Sequence, residues 1–126
     1  MRIKSIAKCG ITFTNGSKLQ EIHIQGTNKT FVNWKDIDDT DEVKQLEFNN
    51  NLVAGVDIIQ HTPTEIHLVA ITGEVLKFSV DPNYSNYCNY FWGIYLNKAL
   101  RVKYANVSNE KYFEKYSVED GEEYKG

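Results

Sequence analysis

Apolar and polar positions alternate most clearly at the start of the chain. From Ile3, every second residue is apolar or small (Ile3, Ser5, Ala7, Cys9, Ile11, Phe13), and those between are mainly Lys4, Ile6, Lys8, Thr12 and Thr14. A period of two belongs to a strand with one buried face, so residues 3–14 are expected to form one long strand. Asn15-Gly16 follows. That dipeptide is the strongest short hairpin signal, because a type I′ turn needs positive φ at both central positions. A tight loop there pairs Thr14 with Ser17, setting Cys9 opposite Ile22 and Ala7 opposite Ile24. Turn and pattern then imply one register.

Residues Thr30–Lys35 (TFVNWK) read as a third strand after the turn Gly26-Thr27-Asn28. The acid-rich run that follows places Asp39 ahead of Glu42 at capping-box spacing, with Val43 and Leu46 on one face. A short helix from Thr40 to Phe48 is expected. Three further strands follow at Val53–Gln60, Glu65–Ile71 and Glu74–Val80, the last two joined by Thr72-Gly73. The middle one is apolar on both faces and belongs inside a sheet. Next comes NYSNYCNYFWGIYL, Asn83 to Leu96, which repeats Asn-Tyr every third residue. That period suits neither strand nor helix. Strands at Phe91–Leu96 and Ala99–Ala105 flank a turn at Asn97-Lys98. Ser108 is placed to cap a last helix over Asn109–Ser117, packing Tyr112, Phe113 and Tyr116. The expected fold class is α+β: predominantly antiparallel β-sheet built from hairpins, with one short middle helix and one C-terminal helix. Residues 1–118 are expected to be a single globular domain and 119–126 an acidic, fraying tail.

Composition narrows the function classes. A chain of 126 residues suits one domain with its own core. Its 41% hydrophobic and 25% charged content is that of an ordinary globular protein. A net charge of −3 argues against general nucleic-acid binding, which needs a basic patch. No apolar run reaches signal-peptide or membrane-spanning length, so a cytoplasmic protein with reduced Cys9 and Cys88 is expected, making no use of a membrane. The sequons at Asn15, Asn28, Asn83 and Asn106 have no bearing there. Richness in Asn, Lys, Ile and Tyr points to an AT-rich genome, such as a low-GC bacterium or its phage.

The chain contains no motif that names a reaction. Asp36, Asp38, Thr40 and Glu47 fall on ligand positions of a calcium loop, but its turn position, usually Gly, is Asp41. These acids read instead as turn and cap residues beside a helix N-terminus. Zinc spacing is lacking among Cys9, Cys88, His23, His61 and His67, and the isolated glycines form no phosphate cradle. No metal, cofactor or catalytic residue is therefore assigned. The late hairpin is the candidate surface. A turn at Asn97-Lys98 would pair Ile94 with Arg101 and Trp92 with Lys103, leaving Tyr95, Leu100, Val102, Tyr104 and Phe91 for a core. With Tyr84, Tyr87 and Tyr90 leading in, the face of Trp92, Ile94, Arg101 and Lys103 suits recognition, since Trp, Tyr and Arg supply most interface hot spots. The plainer alternative is a cross-strand Trp–Lys pair that covers the sheet, with the tyrosines as satellite core.

The reading that follows is a non-enzymatic binding protein acting by sequestration or blockade, of the small inhibitor, immunity or anti-defence type, with self-association as one use of the face. One alternative is a nucleotide-like small-molecule sponge, stacking a ring on Tyr or Trp with Arg101 and Lys103 on phosphate. A second is a small enzyme with a site near His61, Glu65 and His67.

Overall fold

The computed structural model describes residues 1–8, 10–21, 32–53, 55–62, 64–81, 90–96, 99–106 and 113–117. These form two antiparallel sheets. The first, sheet A, runs in the order β1 (Ile3–Ala7), β2 (Gly10–Phe13), β3 (Lys18–Glu21), β8 (Tyr90–Leu96), β9 (Ala99–Asn106) and β10 (Phe113–Ser117). In sheet B the order is β4 (Val32–Asn33), β7 (Val75–Val80), β6 (Glu65–Val69) and β5 (Ile58–Thr62). The sheet-dominated, antiparallel character implied by the hairpin signals is thus observed. No helix among the described residues is long and apolar enough to cross a membrane.

Both sheets contribute to one buried cluster. Ile3, Ile6, Ile11, Phe13 and Leu19 come from sheet A, while Val32, Ile66, Leu68, Phe78 and Val80 come from sheet B. Trp34, Phe48 and Leu52 join them from the connecting segment. Phe13 meets Phe48 edge-on at 5.9 Å, and Trp34 tilts against Phe78 at 5.1 Å. Each such ring contributes about 1.5–3 kcal/mol by leaving water. In β7 the alternation is unbroken, with Leu76, Phe78 and Val80 buried and Val75, Lys77 and Ser79 exposed. β6 lies between β7 and β5, as its two apolar faces require.

Several elements differ from the sequence reading. The expected long first strand is a hairpin, with Ala7 of β1 paired antiparallel to Gly10 of β2. A bulge between Ile3 and Ser5 makes Lys4 an extra residue, which is why Ile6 is buried although it is out of phase with Ile3. Gly10 accommodates a close approach of β3, since a Cβ there would sit 2.5 Å from the Leu19 carbonyl oxygen. The next turn holds three residues, because Phe13 N donates to Ser17 O and Gly16 N donates to Phe13 O. Gly16 has φ of 88°, the left-handed residue of a three-residue hairpin loop. Ile11 therefore opposes Leu19, one position off the register of a two-residue loop.

Of the expected third strand, Val32–Asn33 is observed as β4 and Trp34–Asp36 forms a 3-10 turn instead, while Thr30 and Phe31 lie outside the described residues. Asp36 causes the change of direction, accepting from Asn33 Nδ2 with one oxygen and from Ser79 N with the other at 2.7 Å. The middle helix, α1 (Asp41–Lys44), is one turn long and capped by Thr40, whose hydroxyl accepts from Val43 N at 3.3 Å. At the C-terminal end, Phe113–Ser117 is a strand paired to β9, and not the second half of a helix. Aromatic residues favour a pleated surface, and β9 offered an open edge to pair with. Ile22, Ile24, Cys9, Cys88, the turn at Asn97-Lys98, the Ser108 cap and the tail 119–126 lie outside the described residues.

Candidate functional site

Strand β3 sets the two faces of sheet A. Lys18 is exposed and Gln20 half-buried on one side; Leu19 and Glu21 are buried on the other. The Glu21 carboxylate accepts from the Val32 backbone N–H, a tie that joins β3 to the start of β4. β8 pairs with β3 so that Ile94 faces Leu19 and Trp92 faces Glu21. On its other side β8 pairs with β9, with Tyr95 opposite Leu100 but Ile94 opposite Val102. Arg101 is thus an extra residue, a bulge that shifts every later pair.

The bulge changes which positions share a face. Trp92 lies opposite Tyr104, and Lys103 lies opposite Gly93. The expected pairs Trp92–Lys103 and Ile94–Arg101 are not made. Residues directly opposite in a sheet share a face. Trp92, Ile94 and Tyr90 therefore occupy positions on the side where Leu19 and Glu21 are buried, while Lys103 occupies the other side with Gln20. Arg101 stands at the bulge between them. Tyr84 and Tyr87 lie outside the described residues. By register, Tyr95 lies opposite Lys18 and Leu100 opposite Tyr95, two positions that the hairpin pattern assigns to a core. Tyr116 of β10 stands opposite Lys103. Nothing in the alternation announces a bulge, so no signal in β8 or β9 could have found them.

A second constellation lies on sheet B. His61 of β5 and His67 of β6 stack with ring centroids 4.8 Å apart and planes 11° from parallel. A register shift between Ile59 and Thr62 accompanies this contact. His67 Nε2 is 3.8 Å from Glu65 Oε1, buried, and without a hydrogen-bond partner. Lys77 of β7 lies directly opposite His67 on its other flank. Burial, and then the neighbouring His61, hold the His67 pKa below its ordinary value, with Lys77 adding to this and Glu65 opposing it. His67 is therefore mainly neutral near pH 7. The structure thus brings together the three residues of the enzymatic alternative, and among the described residues no three metal-ligating side chains converge on one point.

No family model matches this chain, no curated protein matches it in sequence, and no solved structure matches it in fold.

Proposed function

We propose that this is a non-enzymatic, cytoplasmic binding protein that acts by blocking or sequestering a protein partner, in the manner of a small inhibitor or immunity protein. The phage or low-GC bacterial origin rests on composition. The contact surface is the solvent side of the β8–β9 hairpin, with Tyr95, Leu100, Arg101 and Lys103 as its members and the Tyr84 and Tyr87 segment leading into it. One observation supports this placement. β3 exposes Lys18 and buries Leu19, and the β3–β8–β9 register extends those two faces through the hairpin. An aromatic position between cationic ones on an exposed sheet face has the composition of an interface hot spot. The nucleotide reading has less support, because the register separates Trp92 from Lys103.

Affinity capture from a low-GC bacterial lysate, followed by calorimetry with the purified partner, tests the proposal. Tyr95→Ala and Lys103→Ala should weaken binding with the fold intact, by about 2 kcal/mol or some thirtyfold for the tyrosine. Trp92→Ala should instead lower stability and spare the affinity of the folded fraction. Loss of binding in Trp92→Ala at unchanged stability would place the surface on the opposite face. The enzymatic reading draws on the stacked histidines; it requires a turnover that His67→Ala abolishes while binding survives.

A further inference from the structure

The first twenty residues contain Arg2, Lys4, Lys8 and Lys18 and no Asp or Glu, in a chain whose net charge is −3. Acidic residues concentrate elsewhere, six of them between Asp36 and Glu47. Arg2 is committed to Glu47, which its guanidinium contacts. Lys4, Lys8 and Lys18 are exposed, and among the described residues none of the three makes an ion pair.

Sheet topology gathers these lysines around one face. One row of cross-strand neighbours runs Ser5, Thr12, Lys18, Tyr95 and Leu100. The adjacent row runs Ala7, Gly10, Gln20, Gly93, Lys103 and Tyr116. Lys4 is the bulged residue beside Ser5, and Lys8 follows Ala7 in the turn. The positions on β1 and β2 are small, so this half of the face is shallow and bordered by ammonium groups. Aromatic positions enter on β8 and β10. Glu114, opposite Ala105, is the acidic position this face acquires by register.

We infer that the solvent face of sheet A binds an acidic protein surface, with Lys4, Lys8, Lys18 and Lys103 as its cationic contacts. This rests on the partner-blocking reading above and adds the chemistry of the partner. Charge complementarity is the reason: on an acidic protein, a face bordered by the exposed Lys4, Lys8 and Lys18, none of them in an ion pair among the described residues, attracts a negative patch. A patch on a folded partner covers this face alone. A long nucleic-acid strand would need a basic surface larger than this face, and the chain's net charge of −3 does not favour one.

The full-length chain is titrated against fluorescent poly-L-glutamate, and separately against fluorescent oligo-dT, at low and at high salt. Binding to poly-L-glutamate that high salt weakens is expected. Lys18→Glu and the pair Lys4→Glu/Lys8→Glu should each reduce it about tenfold, while Lys35→Glu, outside the face, should leave it unchanged. Lys18→Gln, with a smaller loss, guards against folding effects of charge reversal, and circular dichroism checks each variant. No binding to poly-L-glutamate, or equal binding by Lys18→Glu and wild type, overturns the inference. Binding of oligo-dT alone, with the same lysine dependence, also overturns it and reassigns the face to nucleic acid. Loss in the Lys4, Lys8 and Lys18 variants but not in Lys103→Glu or Tyr95→Ala would keep the acidic partner and remove the β8–β9 hairpin from the contact.

Discussion

The β6–β7 and β8–β9 hairpins are both antiparallel pairs of consecutive strands, but only the first keeps an uninterrupted ladder. In the first, Glu65 to Val69 pair with Ser79 to Val75 without interruption, and burial alternates along β7 at every step. The second starts equally regularly, Leu96 opposite Ala99 and Tyr95 opposite Leu100, and then admits Arg101 as an unpaired extra residue. One additional residue reverses the face of all that follows. An uninterrupted ladder makes facing a property of the local pattern. A bulge makes it a property of the neighbouring strands, here β3 and β10.

Deleting one residue from each hairpin should produce the largest contrast. Removal of Lys77 would swing one part of β7 onto the wrong face, exposing either Leu76 or Phe78 and Val80; loss of cooperative folding is expected. Even the simpler Phe78→Ala should cost about 3–5 kcal/mol, since that ring is fully buried against Trp34. Removal of Arg101 deletes the extra residue and leaves Ile94 opposite Val102, so the chain should still fold, with a stability change of about 1 kcal/mol or less. Thermal and urea unfolding of both deletions would measure this. An unfolded Arg101 deletion beside a folded Lys77 deletion would refute the assigned registers.

Gly10→Ala comes next in size. Its added methyl would meet the Leu19 carbonyl oxygen at 2.5 Å and Gln20 Cβ at 2.8 Å, and backbone cannot yield as a side-chain tip can. A loss of about 1–3 kcal/mol is expected by urea denaturation. Gly16→Ala should cost less, about 1 kcal/mol, because nothing lies near its Cβ and only the left-handed φ is strained. Equal losses at the two sites would mean that β2 and β3 do not approach closely at Gly10.

These contrasts also explain what could be read from the chain alone. The β6 and β7 strands of sheet B, the hairpin nature of most connections and the cap region near Thr40 are legible because each depends on a local pattern, whereas the strand expected over Val53–Gln60 is found at Ile58–Thr62, after a turn at residues 55–57. Three further features are not legible. The Lys4 and Arg101 bulges leave no local mark, so spacing alone puts Ile6 on the outer face and pairs Trp92 with Lys103, where the structure buries Ile6 and pairs Trp92 with Tyr104. Phe113 and Tyr116 fit a helix or a strand by spacing, and pairing with β9 decided between them. The His61–His67 stack joins residues across a strand pair whose register is irregular. The proposed face accordingly keeps Lys103 and Arg101 and takes Tyr95 as its aromatic position.

The smallest expected effect separates the two regions by pH. His67, within the regular hairpin, has its pKa lowered from 6.5, first by burial and then by His61. Glu47, near the edge of sheet A, has its pKa lowered from 4.5, chiefly by its hydrogen bond with Arg2. In both groups the folded value lies below the unfolded one, so the unfolded chain takes up the proton first and acid destabilises the fold. The contribution of His67 is complete above 6.5 and is lost as pH falls through its lower folded value. That of Glu47 is complete above 4.5 and is lost only in stronger acid. His67→Phe keeps a flat ring against His61 and removes the titration, so it should flatten the stability profile just below pH 6.5 and leave the fall below pH 4.5. Arg2→Gln should do the reverse, with a shift that is small because the ion pair is exposed and salt screens it. Urea midpoints measured above 6.5, between 6.5 and 4.5, and below 4.5 distinguish the two. A decline between 6.5 and 4.5 that persists unchanged in His67→Phe would show that the stacked ring is not what senses acid in sheet B.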